Sequence, residues 1–459
     1  MDTPLFTRAA LAGLGALLAG CASVAPDAGF SAVAEATKAR TGIEPQLVRG
    51  DAAERAVSDT VRALLAQPLG QDDAVRIALL NHPGLQARYW EVGIAQADLA
   101  QAARLQNPGF GFKRVAGGGA VEIERTLTFS LAQALTLPLS RRLEHTRFEA
   151  AQLGVVAAIE RHAFETRQAW TEAVAARQAL DYARRVNAAF EAGAELTGRM
   201  TRSGNASALD SAREQLFHAE AAAGVLRAGQ GLIAARERLA RLLGLWGDQV
   251  DFTLPERLPA LPAAPLELNE TERLALARRA DVQAARQNAA GIAASLGLSR
   301  TTRFVNVLEL GLERKNETGG PRSHGYEVAL ELPLFDWGGA RVARAEALYM
   351  QSLRRVADTA ISARSEARER YLAYRTAWDL ARHYRDEVLP LRKKISNEVL
   401  LRYNGMLASP FELLLDAREQ AGAVNATVEA LKDFWLEEAA LQLALGGPAA
   451  PTQHKEHAP

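Results

Sequence analysis

Two stretches of the chain alternate apolar and polar side chains with a period of two. In the first, Val121, Ile123, Leu127, Phe129 and Leu131 share one parity, and Glu122, Glu124, Thr126, Thr128 and Ser130 share the other. In the second, Leu308, Leu310 and Leu312 alternate with Glu309, Gly311 and Glu313. Tyr326, Val328, Leu330 and Leu332 then alternate with Glu327, Ala329 and Glu331. This period predicts strands with one apolar and one polar face. They are placed near 108–115, 121–132, 303–314 and 324–333. Gly117-Gly118-Gly119 and the segment from Asn316 to Pro321 carry the turn chemistry that makes each pair a hairpin.

The rest of the pattern is helical. Ala, Leu, Arg, Glu and Gln, all good helix formers, dominate 140–245 and 340–445. No proline occurs from Arg141 to Ser203, which predicts a rod of about 95 Å at 1.5 Å per residue. The stretch from Arg341 to Tyr403 is read as a second rod of the same length. The rods end near Arg202-Ser203-Gly204-Asn205 and Tyr403-Asn404-Gly405-Met406, with glycine where a helix commonly stops. Ser207 and Ser409 are good N-caps for returning helices at about 207–245 and 409–445, and Pro410 suits a first helical position. Shorter helices are predicted at about 72–106, broken early by Pro83, and at about 269–301. Pro255, Pro259, Pro262 and Pro265 exclude a helix from 251–266, which reads as a linker.

The chain is also written twice. Leu85-Gln86-Ala87-Arg88 matches Val282-Gln283-Ala284-Ala285-Arg286, and Gly93-Ile94-Ala95 matches Gly291-Ile292-Ala293. Leu137-Pro138-Leu139-Ser140 matches Leu332-Pro333-Leu334-Phe335, and Gly204 with Leu209-Asp210 matches Gly405 with Leu415-Asp416. Both halves end alike, at Leu242-Leu243-Gly244 and Leu443-Ala444-Leu445-Gly446. A period of about 200 residues is far too long for a solenoid, so each half is a duplicated half-structure, 71–250 and 267–447.

The duplication and the strands together restrict the architecture. Rods this long leave a small sheet behind rather than cover it. The polar parity, with its six glutamates, suits a water-filled lumen, and the apolar parity suits lipid. Four strands cannot close around water, whereas three chains supply twelve and leave no edge. The expected fold class is therefore an α+β membrane protein: long helices forming a tunnel, plus a four-stranded contribution to a barrel that several copies close, twelve-stranded and trimeric if three combine.

Composition narrows the partners. Lys+Arg and Asp+Glu are both 54 in 459 residues, a formal net charge of zero, so no nucleic-acid partner is expected. The single cysteine, Cys21, excludes a disulfide framework. It follows Leu18-Ala19-Gly20 at the end of an apolar run that begins after Arg8. That string predicts a signal peptide over 1–20 and resembles the lipoprotein box, which implies acylation of Cys21 as the new N-terminus and a lipidated segment over 21–70; the alternative is an ordinary secretion signal with an incidental cysteine. Residues 448–459 read as a disordered tail. His82, His145, His162, His218, His324 and His383 are dispersed without ligand spacing, and His454 and His457 fall in the tail, so no metal site is expected. No nucleophile elbow, phosphate loop or His-Glu-x-x-His string is present, so no enzyme and no cofactor are expected.

The strings ALLNHPGLQAR and LARRADVQAAR, SLAQALTLPLSRR and ALELPLFDWGGAR, SGNASALDSAR and YNGMLASPFELLLDAR, in this order over roughly 70–447, resemble the TolC family of outer-membrane efflux channels. The lipid-anchored Cys21 resembles its lipoprotein branch, found with resistance-nodulation-division pumps. The chain departs from the family pattern at Asn81-His82-Pro83, usually Asn-Pro, and at Arg279-Ala280-Asp281, often Arg-Pro-Asp. The resemblance implies a homotrimer in the cell outer membrane, with its helical tunnel in the periplasm. It also implies docking on a periplasmic adaptor and an inner-membrane transporter, and passive export of small molecules or metal ions. By position, Asp210, Glu412 and Asp416 resemble the acidic ring of the periplasmic gate. Asp210 and Glu412 equally suit a helix N-terminus, whereas Asp416 lies too far in for a cap. Glu122, Glu124, Glu309, Glu313, Glu327 and Glu331 are expected to line the barrel lumen. Met200, Gly204, Tyr403 and Gly405 are tip candidates for adaptor contact, although the glycines also serve to turn the chain. The competing reading is a lipid-tethered periplasmic coiled-coil scaffold without a channel.

Overall fold

The computed structural model describes residues 25–117, 120–304 and 307–448. Cys21 and its leader, Gly118, Gly119, His454 and His457 lie outside the described residues. The chain divides into two compact units. The first comprises Met1–Val33, Tyr89–Val155 and Ala280–Ile361, and the second Ala34–Arg88, Val156–Arg279 and Ser362–Pro459.

The first unit holds the sheet. Its strands are β1 (Gly109–Gly117), β2 (Ala120–Ser130), β3 (Leu308–Glu317) and β4 (Ser323–Leu330). They lie in the order β1-β2-β3-β4, all antiparallel. The register aligns the parities of both halves. Phe110, Leu127, Leu312 and Tyr326 form one cross-strand row, and Phe129, Leu310 and Val328 form the next. This apolar face stays uncovered within the chain: Phe110 is 70% exposed and Tyr326 78%. β1 and β4 each pair on one side only, so the sheet has two free edges.

The second unit is helical. Its first core joins α2 (Gly50–Leu65) and α3 (Gln71–Asn81) to the long helices α5 (Leu131–Arg202) and α6 (Ala208–Leu243). Val61, Ile77, Trp170, Leu239 and Leu254 are central to it. A second core joins α7 (Thr271–Arg278), α9 (Gly339–His383) and α11 (Pro410–Leu445) around Tyr374, Trp378, Phe434 and Leu445. The proline-rich segment is strapped across both by side chains. Arg236 donates to the carbonyls of Val250 and Phe252, Trp435 to Pro259 and Trp378 to Pro262, while the N–H of Leu266 donates to the Tyr374 hydroxyl. Prolines leave this stretch few N–H groups of its own, so its carbonyls are met from outside.

Three further helices complete the described chain: α1 (Phe30–Thr41), α4 (Pro83–Ala102) and α8 (Ala280–Thr301). The helix pairs α3/α4 and α7/α8 break at His82 and Arg279, both with extended ψ. A left-handed glycine at the end of a returning helix fits against each break, Gly244 after α6 and Gly446 after α11. A Cβ on Gly244 would stand 2.9 Å from the His82 Cα, and one on Gly446 2.8 Å from the Arg278 carbonyl carbon. Asn81 fastens the first of these knots by donating to the carbonyls of Leu243 and Gly244. The two halves thus repeat down to backbone contacts.

The rods differ from the sequence expectation in one respect. α5 is continuous over 72 residues, about 108 Å at helical rise, with Pro138 near its start. The second rod is not its equal. α9 gives way to a π turn, Tyr384–Val388, before α10 (Leu389–Asn404). Pro390 is the physical reason: it lacks an N–H, and its ring crowds the carbonyl four residues back, which a wider turn relieves.

Candidate functional site

The polar face of the sheet collects carboxylates. Glu122, Glu124, Glu309, Glu313, Glu317 and Glu327 all lie on it, with only Lys113 and Lys315 as counter-charges. Lys315 Nζ is 2.7 Å from Glu122, and Lys113 Nζ is 3.6 Å from Glu124. Among the described residues Glu309, Glu313 and Glu327 make no ion pair. Glu331 stands one residue beyond β4, and its N–H donates to the Val307 carbonyl at 3.2 Å. Glu317, which the alternation had not marked, joins the face because β3 runs further than the periodic leucines.

The other candidate residues lie at the helix tips of the second unit. At the first tip, Ser207 caps α6: its hydroxyl accepts from the Asp210 N–H and donates to the Asp210 carboxylate at 2.6 Å. At the second tip Ser409 and Glu412 form a reciprocal capping box. The Ser409 N–H reaches Glu412 Oε2 at 2.8 Å, and the Glu412 N–H reaches Ser409 Oγ at 3.2 Å. Both acids therefore complete a first helical turn, whose N–H groups have no other partner. Asp416 does not share the exposed side of Glu412. It is buried and accepts a hydrogen bond from the Ser396 hydroxyl on α10.

Aligning the two caps shows a residue the sequence reading missed. The caps correct the repeat register read from sequence, which set Asp210 against Asp416: Ser207 corresponds to Ser409, Asp210 to Glu412, and therefore Glu214 to Asp416. Glu214 is 2% exposed, its Oε2 has no hydrogen-bond partner, and it lies beside Gly193 of α5, which also meets Leu414 of α11. Burial, then the nearby Asp210 charge, pushes the Glu214 carboxyl above the usual carboxylate range. The matching offsets from each capping serine were the available signal.

The turns at the tips are not equivalent. Gly204 is left-handed at φ +80° and ends α5 with two reverse bonds, Gly204 N–H to Thr201 and Asn205 N–H to Met200. At the second tip the same pair of bonds runs from Met406 to Tyr403 and from Leu407 to Arg402. The left-handed residue there is Met406, at φ 59°, while Gly405 has φ −83°. Glycine is thus required by the backbone at 204 and not at 405. Met406 and Leu407 are 93% and 82% exposed.

No helix among the described residues is long and apolar enough to cross a membrane, and no group of three potential metal ligands occurs among them. No protein-family model matches the chain, and no curated protein matches it. Solved structures do. The outer-membrane channel MtrE of Neisseria gonorrhoeae, in its open state, superposes with TM-score 0.67 at 19% identity, over 82% of this chain and 89% of that one. The outer-membrane protein VceC of Vibrio cholerae gives 0.69 at 17% identity, over 82% and 96%. CusC, described for the conformational changes of folding and transmembrane channel formation, gives 0.67 at 16% identity, over 85% and 92%. The chain therefore has the fold of outer-membrane channels: long helices with a four-stranded antiparallel sheet, in two duplicated halves.

Proposed function

We propose that this chain is a TolC-family subunit of the outer-membrane channel of a tripartite efflux system. It would act as a passive conduit fed by a periplasmic adaptor and an inner-membrane transporter of the resistance-nodulation-division type. The observation that carries this reading is the sheet. It has two free edges, one exposed apolar face and one acidic face, and only closure with other copies satisfies all three. Three chains supply twelve strands, with the glutamate face inward and the apolar face in lipid.

In that assembly the half-buried Asp210 and the exposed Glu412 sit at the start of the returning helices, where three copies of each focus cations at a narrow mouth. Asp416 joins them only when α10 and α11 part, because Ser396 holds it here. Met200, Gly204, Tyr403 and Gly405, with Met406 and Leu407, form the surface offered to an adaptor. Acylated Cys21 adds a second anchor to a barrel that already holds.

Light scattering of the protein extracted from outer membranes in detergent should give three chains per particle, and planar bilayers should show discrete conductance. A deletion strain should become sensitive to exported metals or drugs. Cys21→Ala, secreted with a non-lipoprotein signal, should still form trimers. Monomers or dimers released from the membrane by loss of Cys21 acylation, with no conductance, would replace the channel by the tethered scaffold.

A further inference from the structure

The apolar sheet face carries three arginines and a histidine that neither a lumen nor a hydrocarbon slab explains. Phe112, Arg125, Arg314 and His324 stand opposite one another in a single cross-strand row. Arg114 lies on the same face, one row nearer the hairpin turns, in line with Ile123 and Asn316. Arg114, Arg125, Arg314 and His324 are all exposed. None is in an ion pair among the described residues, and Arg125 lies over the Phe112 ring at 5.9 Å. No carboxylate shares their face, since every glutamate of the four strands points to the other side. Lys113 and Lys315, on that other side, are neutralised by Glu124 and Glu122.

The rows on the helix side of this belt are wholly apolar: Phe110-Leu127-Leu312-Tyr326, Phe129-Leu310-Val328 and Leu308-Leu330. An arginine facing lipid is costly at mid-bilayer and nearly free at the headgroups. The belt therefore marks where hydrocarbon ends. From Leu330 to His324 the strand covers about 20 Å, or about 15 Å of height at a tilt of about 40°. Exposed Leu332, Leu334, Phe335 and Trp337 continue the apolar band at the sheet's other end. On adjacent strands the two guanidiniums of the row lie about 5 Å apart at the backbone. Planar forks at that spacing, with no internal anion, match phosphate oxygens.

We propose that Arg125, Arg314 and His324, with Arg114, form a seat for the phosphates of lipid headgroups in the leaflet at the hairpin end of the sheet. It is repeated once per chain around the barrel. The inference rests on the channel reading. A lipid rather than a free anion is the occupant, because Phe112, Leu312 and Tyr326 border the cations with exposed apolar surface for acyl chains.

The test uses purified trimers in phosphatidylcholine nanodiscs, with and without bisphosphorylated lipid A, scored by native mass spectrometry for retained lipid. Wild type should keep lipid A in preference to its dephosphorylated form. Arg125→Gln with Arg314→Gln should lower retention about tenfold, the loss expected from two solvent-exposed ion pairs. The double Lys variant at these positions should keep most of it, and Lys113→Gln with Lys315→Gln should have no effect. If the double Gln variant does not assemble, Arg314→Gln alone should show a smaller loss. Equal retention by the Gln variants, no preference for the phosphorylated lipid, or displacement by millimolar inorganic phosphate would each overturn the seat while trimers still conduct. Failure of the wild-type chain to form conducting trimers would overturn the channel reading, and the seat with it.

Discussion

Gly446→Ala tests whether the knots at the helix breaks hold the second unit together. Gly446 has φ +72°, and an added Cβ would meet the Arg278 carbonyl carbon and the Arg279 nitrogen, both at 2.8 Å. Every obstacle is backbone, so no rotamer change relieves it. Gly204 is the internal control: φ is +80°, but nothing lies within 4 Å of its Cβ position. A left-handed alanine costs about 1 kcal/mol at either site. Overpacking against fixed backbone adds about 1–3 kcal/mol at Gly446 alone. The prediction is about 1 kcal/mol for Gly204→Ala and about 2–4 kcal/mol for Gly446→Ala. A chain of this size need not unfold in one step, so local opening is the better measure. The Arg279 amide, bonded to the Ala275 carbonyl at 3.0 Å, reports on the break. Its hydrogen exchange should accelerate about 30- to 700-fold in Gly446→Ala, and amides at the first tip about fivefold in Gly204→Ala, at 1.4 kcal/mol per tenfold. Equal effects at the two sites, or an unchanged Arg279 amide, would refute the packing argument.

Four further outcomes are expected. The raised carboxyl of Glu214 penalises its charged form in the fold, so stability at the first tip is lowest above the folded pKa and recovers as pH falls through it. Protection of the α6 N-terminal amides, corrected for intrinsic exchange, should rise on acidification in wild type and stay flat in Glu214→Gln; a flat wild-type profile would contradict the burial argument. Met406→Gly should stabilise the second tip by about 0.5–1 kcal/mol, the left-handed cost less the entropy of glycine, and Gly405→Ala should be nearly neutral in the same exchange experiment; a loss in the first or a large loss in the second would contradict the turn assignment. A double-mutant cycle on Asp416→Ala and Ser396→Ala should show coupling of about 1 kcal/mol, since the bond is buried, and additivity would mean that α10 and α11 are already apart. Replacing Glu309, Glu313 and Glu327 together by Gln should weaken cation preference, read as a smaller reversal potential across a salt gradient; an unchanged potential would place those residues outside the conducting path.

The features legible in the sequence were those with a local cause. Two-residue alternation identified β2, β3 and β4 and both faces, since a difference between the two sides writes itself into every second position, while β1 was placed only as the strand-like sequence that Pro108 opens. Ser207, Ser409 and Pro410 announced helix starts through capping chemistry, and the glycines after Leu243 and Leu445 announced helix ends. What stayed hidden depended on neighbours remote in sequence. Nothing local shows that Gly244 and Gly446 press on His82 and Arg278, or that Trp378 reaches the Pro262 carbonyl. His82 itself, which stands between Asn81 and Pro83, accepts the Leu85 N–H at 3.1 Å and so serves as the cap of α4. Its ring packs against His162 at a tilt of 41° with centroids 4.4 Å apart, and burial, then the neighbouring imidazole, lowers its pKa. Of the gate candidates, Asp210 and Glu412 could be weighed as caps from sequence, because capping is a three-residue rule. The burial of Asp416 and Glu214 could not, because it depends on how helices pack.

The strand order has a consequence for assembly. β2 comes from the first half of the duplication and β3 from the second, and they pair over nine residues within one chain. Were the halves separate molecules, a closed twelve-stranded sheet would need six joints between free bodies. Fusing the halves makes every second joint intramolecular and leaves three. Each joint removed spares the loss of translational and rotational freedom that a bimolecular contact incurs, roughly 4–15 kcal/mol at standard concentration. In the proposed trimer the linker that ties the halves thereby lowers the concentration at which the ring closes, and it would fix the alternation of unlike tips around it.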